Sequence, residues 1–496
     1  MCFPSLFIGY EFVCDGPCAR LQPFPQQPTR SAILLNPSSS PGSSPEVPAS
    51  PGPRRYGPRE HHITPELISS DALQVVRTLR DAGFDSYLVG GCVRDLLLGH
   101  PPKDFDVSTS AHPDEVHALF RRSRIVGRRF QIVHVRSGRE IIEVSTFRGH
   151  HSPGFDSDPE TGEGIEGEEE PVERSAQEST VCATSGMLLR DNVFGTVEED
   201  ALRRDFTVNG LYYDPDANTV LDFSTGVEDL GARLLRVVGD PAQRFQEDPV
   251  RMIRAIRFAA KLDFLIDPFA VAAIARCRHL IEGVAAARMF DEVLKLLLTG
   301  KGEKTFDLLE HHRIFELLFP ATADAIRRVP LQRKLVTGAL ANSDDRIARD
   351  RPVTPAFLFA ALLWPPMVRR MKLLEGRGET PVAALYEASS DVIAAQVRLI
   401  TIPRRFATPM REIWELQHRL ESRRSPARLI SHPRFRAAYD FLLLREQAGE
   451  DLGGAGDWWT RQQAGEEPPL PRSAEAAPAR RRRRRRSRSG ARSDAG

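Results

Sequence analysis

Leu88-Val89-Gly90-Gly91-Cys92-Val93-Arg94-Asp95-Leu96-Leu97-Leu98-Gly99, followed by Lys103-Asp104-Phe105-Asp106-Val107, is the stretch that decides the fold of this chain. DSYLV (85–89) reads as a short strand, CVRDLLLG (92–99) as a helix, and KDFDVST (103–109) as a second strand. Two glycines between a strand and a helix let backbone N–H groups approach a phosphate with no Cβ in the way. The helix N-terminus adds partial positive charge at the same place. A Gly-Gly pair alone marks an ordinary turn more often than a phosphate cradle, so its meaning rests on what surrounds it.

Asp104 and Asp106 are one residue apart on the expected strand, which puts both carboxylates on one face. Such a pair repels itself unless a cation sits between, and by itself it is more often a solvated surface feature. Glu143 in EIIEVST (140–146) is the third candidate. Strand alternation groups it with Ile141 and Ser145, while Ile142 and Val144 point the other way. A carboxylate on a central strand is hard to explain as solvent decoration. Three carboxylates on neighbouring strands beside a glycine turn suit two-metal phosphoryl transfer, because Mg²⁺ takes carboxylates together with water and substrate phosphate oxygens. The alternative for these residues alone is a structural charge cluster.

Outward from this centre, TPELISSDALQVVRTLRDAG (64–83) has helical apolar spacing and a C-terminal Gly83. RFQIVHVRSG and REIIEVSTFRG read as two strands joined by a Ser-Gly turn. From about 216 onward the chain is mostly helical, through PVRMIRAIRFAAKL, DEVLKLLL, PAFLFAALLW, MREIWELQHRL and FRAAYDFLLLR. The expected class is α+β, a mixed-sheet head followed by an all-helical region and flanked by disordered ends. The boundaries are 1–60 for a Pro/Ser-rich disordered leader, 61–222 for the catalytic head with a flexible acidic insertion at 152–180, 223–330 for a helical neck and body expected to bind nucleotide and RNA, 331–450 for a helical C-terminal RNA-binding domain and 451–496 for a disordered Arg-rich tail.

Bulk properties restrict the class of function. The 496 residues are too many for one compact domain, and 41% hydrophobic with 27% charged is ordinary for a globular protein. A net charge of +1 hides the contrast between the acidic insertion and the basic tail. The six cysteines follow no repeating spacing, and Cys14 and Cys18 lack a second ligand pair at zinc-site distance. With no apolar run near the roughly 20 residues of a membrane span and no basic n-region at the start, the sequence reads as a reduced cytoplasmic protein without membrane attachment.

Four motifs, GGCVRDLLLG, KDFDV, RRDFTVNGLYY (203–213) and EDPVRMIRAIRFA (247–259), resemble in order and spacing the nucleotidyltransferase superfamily that holds bacterial CCA-adding enzymes and bacterial poly(A) polymerases. The likeness covers roughly residues 63–300 and implies a polymerase β-like head. It implies that Asp104, Asp106 and Glu143 are catalytic and hold two Mg²⁺ ions, with Mn²⁺ as a substitute. It assigns nucleotide binding to Gly90, Gly91, Arg94 and Asp95, and the triphosphate and ribose to Arg203, Arg204, Asp205 and Asn209. Arginine forks match phosphate, and Asp and Asn match sugar hydroxyls; the other reading of Asp205 is a salt bridge to its Arg neighbours. In the last motif Asp248 suits an N-cap with Pro249 at the first helical position, and Arg251, Arg254 and Arg257 form an exposed basic stripe opposite Ile253 and Ile256. The resemblance implies instead that Asp248 and Arg251 line the base pocket.

VGRRFQIVHV, REIIEVSTFRGHH, the acidic insertion and MLLRDNVFGTVEEDALRRDF are similar to the poly(A) polymerase branch, and PAFLFAALLW and HPRFRAAYDFLLLR extend the likeness to about residue 447. His311, His312 and the sparse later histidines do not supply the metal-binding His-Asp set that some CCA-adding enzymes carry. Arg480, Arg481, Arg482, Arg483, Arg484, Arg485 and Arg486 form an unbroken cationic run suited to sequence-blind, salt-dependent RNA binding, with a solubility tail as the other reading. The expected activity is polynucleotide adenylyltransfer from ATP to RNA 3′-hydroxyls with pyrophosphate release, serving RNA processing and turnover. A CCA-adding enzyme and a catalytically silent RNA-binding relative are the alternatives.

Overall fold

The computed structural model describes residues 52–127, 131–138, 140–149, 181–182, 188–190 and 193–465. Residues 1–51 of the expected leader, the insertion 152–180 and the run Arg480–Arg486 lie outside the described residues.

The strands are β1 (Arg54–Tyr56), β2 (Ser86–Val89), β3 (Asp106–Thr109), β4 (Ser123–Val126), β5 (Ile132–Ser137), β6 (Glu140–Thr146), a short separate pair β7 (Val181–Cys182) and β8 (Leu188–Arg190), then β9 (Leu211–Asp214) and β10 (Thr219–Asp222). Eight of them form one sheet in the order β1-β10-β9-β2-β3-β6-β5-β4. β3 and β6 run parallel and the other neighbours antiparallel, which makes the sheet mixed.

Period-two alternation gives the sheet two distinct faces. Leu88, Val107, Ile142, Val144 and Val220 are buried on one of them, under the helix Ser70–Asp81 with its buried Ala72, Val75, Val76 and Leu79. That helix stops as its sequence demands. Gly83 adopts φ +89°, and Phe84 N–H returns to Leu79 O at 3.0 Å. Truncating the fully buried Leu79 to Ala costs about 2–5 kcal/mol. The second face carries Val89, Tyr212 and Leu221 as a small apolar cluster with Phe147 and Ala201, and this is the face of Asp106 and Glu143.

Beyond the head come helices from Pro241 to Ala464, with one short parallel pair, β11 (Leu234–Leu235) with β12 (Leu265–Ile266). The helix Pro355–Glu375 is buried nearly all round from Ala356 to Met367, so it serves as the central element between Pro381–Val397 and Arg404–Glu421. Among the described residues no helix is long and apolar enough to cross a membrane.

Two expected boundaries and one strand assignment change. The leader was placed to residue 60, but Arg54–Tyr56 pair with β10 in the register Arg54↔Asp222 and extend the sheet edge. The tail was placed from 451, but Ala455–Ala464 is a helix whose Trp459 is fully buried and donates its indole N–H to Leu420 O at 2.8 Å. Composition hid both: Gly and Pro flank segments that one or two aromatic side chains tie down. Finally, β3 begins at Asp106, so Asp104 lies in the bend before the strand rather than on it.

Candidate active site

Asp106 opens β3 at the centre of the sheet. It stands in register with Val89 at the end of β2 on one side and with Glu143 of β6 on the other. In a parallel pair, residues in register share a face, so Asp106 and Glu143 project together. The Asp106 carboxyl is pushed up to about 6 by burial and by the Glu143 charge, with Arg204 acting against them and Asp104 adding to the rise. Glu143 also lies 3.5 Å from His134 Nε2, its register partner on β5. Among the described residues no three His, Cys, Asp or Glu side chains converge into a ready-made metal cage. Mg²⁺ does not require such a cage, because it takes one or two carboxylates together with water and substrate phosphate oxygens. The donor set, three carboxylates with one resisting ionisation, suits a hard divalent cation.

The glycine turn closes over this edge. Gly90 has φ +77° and ψ −125°, a conformation reserved for glycine. A Cβ there would meet Arg204 Nη1 at 3.4 Å. Arg204 is thus the floor beneath the turn. It pairs with Asp200 at 2.9 Å and donates from Nε to the Tyr212 hydroxyl at 3.2 Å. Tyr212 in turn donates to Asp200 at 2.5 Å. Burial alone would lower the Arg204 pKa; coupling to Tyr212 and Asp200 raises it instead.

A second chain of bonds runs through the resemblance-derived residues. Arg94, 2% exposed, is held by Asp95 at 2.7 Å and donates to Asn209 Oδ1 at 2.6 Å. Asn209 donates to Asp205 Oδ1 at 3.1 Å, and Arg254 donates to Asp205 Oδ2 from Nε at 2.8 Å and Nη2 at 2.6 Å. Burial would raise the Asp205 carboxyl, yet Arg254 and Asn209 hold it below its usual value. Asp205 therefore does form a salt bridge, but with Arg254 of the helix Val250–Leu262 and not with its Arg neighbours in sequence.

Arg203 points elsewhere, donating to Gly149 O at 2.6 Å. Burial, then the nearby Arg148, Arg244 and Arg251, pull its pKa down to about 10, with Glu247 opposing. Arg244 is likewise pulled down to about 10 by burial and Arg251. Glu247 is the carboxylate bridging Arg244 at 2.7 Å and Arg251 at 2.9 Å. Arg203 and Arg244 thus lie among crowded guanidiniums whose charges oppose their own.

The expected exposed stripe is a correction. Arg251, Arg254 and Arg257 are all partly buried, because Arg251 and Arg254 reach Glu247 and Asp205. Asp248 accepts from Val250 N–H at 3.2 Å, but it is the C-cap of the helix Pro241–Glu247, and Pro249 rather than Asp248 is the N-cap of Val250–Leu262. The Asp248 carboxylate is also gripped by Arg288 at 2.6 and 2.8 Å. Asp200, Tyr212, Arg244, Glu247, Arg254, Arg288 and His134 are the site residues that motif reading missed. The spacing of Asp200 to Arg204 and of Glu247 to Arg251, four residues each, was an available signal; Arg288, forty residues from Asp248, offered none.

The sequence matches the family described as the poly A polymerase head domain over residues 86–236, the probable RNA and SrmB-binding site of polymerase A over 263–326 and the polymerase A arginine-rich C-terminus over 377–491. Poly(A) polymerase I of Salmonella typhimurium is 43% identical over 419 residues, covering 83% of this chain and 86% of that one. Poly(A) polymerase I of Escherichia coli O157:H7 is 44% identical over 420 residues, with the same coverage of 83% and 86%. A CCA-adding enzyme of Streptococcus suis is 38% identical over 230 residues, 46% of this chain and 49% of its own. Among solved structures, the Bacillus stearothermophilus CCA-adding enzyme in complex with CTP aligns with a TM-score of 0.52 at 23% identity, over 81% of this chain and 83% of that one, a likeness of fold. The fold, a mixed-sheet head joined to a helical body, is that of the CCA-adding nucleotidyltransferases. Within that fold class, the chain belongs to the poly(A) polymerase family.

Proposed function

We propose that this chain is a template-independent polynucleotide adenylyltransferase of the cytoplasm, adding AMP from ATP to RNA 3′-hydroxyls with release of pyrophosphate. The observation that carries the reading is the register of Asp106 with Glu143, beside a glycine turn whose floor is Arg204. Asp104, Asp106 and Glu143 would hold two Mg²⁺ ions, with Mn²⁺ able to replace them. When bound, the ions sharpen the attacking hydroxyl and neutralise the leaving pyrophosphate.

The chain's own part is positioning and charge. Gly90 and Gly91 let the backbone approach the phosphates. Arg203, Arg244 and Arg251 offer the triphosphate a cationic cluster that an anion relieves of self-repulsion. Asp205 is saturated by Arg254, Asn209 and the Phe206 N–H, so it orients Asn209 and does not itself touch the sugar. Asn209 spends its oxygen on Arg94 and one amide hydrogen on Asp205; its second amide hydrogen is left for a ribose hydroxyl. Asp248 and Arg251 border the base.

The test supplies a short RNA primer with each nucleoside triphosphate separately, plus Mg²⁺, and reads the product ladder. ATP-dependent extension alone is the expected result. Cytidylate incorporation at a tRNA lacking its end would favour the CCA-adding reading, and no incorporation from any nucleotide would favour the silent relative.

A further inference from the structure

Two cavities of the helical region differ in the sign of their charge. One, of about 570 Å³, is lined by Glu375, Glu412, Glu415, Glu421 and Glu450 against three basic side chains. Such a lining repels a polyanion. The other, of about 690 Å³, lies between the end of Pro330–Ala348, the start of Pro355–Glu375, and the helices Arg404–Glu421 and Phe435–Ala448. It presents Arg346, Arg351, Arg434 and Arg436 against Asp345 and Asp440. Its volume falls within the roughly 300–1,000 Å³ typical of small-ligand sites.

Both aspartates are already neutralised, Asp440 by Arg436 at 3.0 Å and Asp345 by Arg349 at 2.8 Å. Arg434 is matched by Glu412 at 2.9 Å. Arg346 is tied only to a neutral carbonyl, Pro352 O, at 2.9 Å from Nη2. Arg351 is exposed, and its side chain has no ion pair or hydrogen bond among the described residues. The net charge facing the cavity therefore comes from Arg346 and Arg351. Its wall includes Phe357, Pro409 and Ile413, and the Phe357 ring is fixed edge-on to Phe441 at 5.9 Å. A rigid apolar wall beside two uncompensated guanidiniums matches a nucleotide unit, base on the wall and phosphate on the forks.

We propose that this cavity is an RNA subsite, taking one nucleotide of single-stranded RNA upstream of the growing 3′ end. Its phosphate is held by Arg346 and Arg351, and its base lies against Phe357 and Ile413. The inference rests on the adenylyltransferase reading above and adds a second, distal grip on the acceptor strand.

The test uses the full chain and its Arg351→Glu variant, which removes no internal contact, with Arg351→Ala as a milder companion. Oligoadenylates of increasing length are bound across a salt series, and strands carrying a single 4-thiouridine are cross-linked and mapped. R351E is expected to bind long strands about ten-fold more weakly, with the slope of log K on log salt shallower by about 0.7 for one lost phosphate contact. R351A is expected to lie between R351E and the parent. The shortest extendable primers should bind all three proteins alike, and cross-links should fall in the peptides holding Val353–Phe357 or Pro409–Ile413. Unchanged long-strand affinity in both variants overturns the proposal, as does an equal loss at every length. Tighter binding of a polyglutamate peptide than of RNA to the parent, lost in R351E, would replace RNA by an acidic protein as occupant. Failure of the parent to extend the short primer would strike the adenylyltransferase reading, whereas the cavity is judged by length-dependent affinity alone.

Discussion

Replacing Asp106 by Asn should inactivate the protein and, without metal, stabilise it. The native carboxyl titrates at about 6 against an ordinary 3.8, a difference of about two units. At about 1.4 kcal/mol per unit this is about 3 kcal/mol. Solvent screening by the partly open site reduces it to about 1–2 kcal/mol. The sign follows from proton counting. Between pH about 4 and 6 the folded state binds the Asp106 proton more tightly than the unfolded chain does, so stability falls as pH rises through that window. Above about pH 6 the penalty is fully present, and Asn does not carry it. Among the described residues the Asp106 carboxylate makes no side-chain hydrogen bond for Asn to lose, and other titrating groups cancel in the variant-minus-parent difference. Thermal unfolding in chelator should show that difference near zero at pH about 4 and about +3 °C at pH 8. Added Mg²⁺ should stabilise the parent and leave the variant nearly unmoved. A variant less stable than the parent at pH 8, or a difference independent of pH, would refute the claim that Asp106 and Glu143 repel across the β3–β6 register.

Asp104→Ala and Asp106→Ala should each abolish AMP incorporation while RNA retention stays within about two-fold of the parent; full primer extension by either would remove it from the metal-holding set. Asp200→Ala strands Arg204 without its counter-ion and should destabilise the head by about 3–5 kcal/mol in urea unfolding, and an unchanged midpoint would contradict the role given to Asp200. Arg244→Lys keeps the charge but loses the fork that meets Glu247 and the Arg203 and Arg204 carbonyls. It should raise the KM for ATP about ten-fold, and an unaltered KM would detach Arg244 from triphosphate binding. Deleting residues 472–496 should weaken RNA binding and flatten its salt dependence with nucleotide choice unchanged; a changed preference among ATP, CTP and UTP would give the tail another role.

The elements legible in the sequence were those set by local pattern. Alternation in EIIEVST gave the facing of Glu143, and Ile142 and Val144 are indeed buried opposite it. Gly83 and Gly90 signalled turns, and both adopt positive φ. What stayed hidden depends on contacts between distant segments. Nothing near Asp248 announces Arg288, nor does anything near Asp205 single out Arg254 from the arginines beside it. The edge strand Arg54–Tyr56 was also hidden, since three residues in a Pro-rich stretch carry too little pattern to reveal pairing with Thr219–Asp222.

These long-range pairs also decide what the arginine-rich helix does. An exposed stripe at three-residue spacing would serve RNA by charge alone, and its members would be interchangeable. Once Arg254 is committed to Asp205, and Arg251 to Glu247 and the Arg244 carbonyl, each has a fixed direction and its own partners. The helix Val250–Leu262 belongs to the helical region by chain position, yet its Arg254 holds Asp205, a head residue that motif resemblance assigns to the nucleotide. Arg288, from the helix Ala286–Leu297, fixes Asp248 within the helical region itself. A head cut off at residue 222 would leave Asp205 without Arg254, a buried carboxylate without its cation.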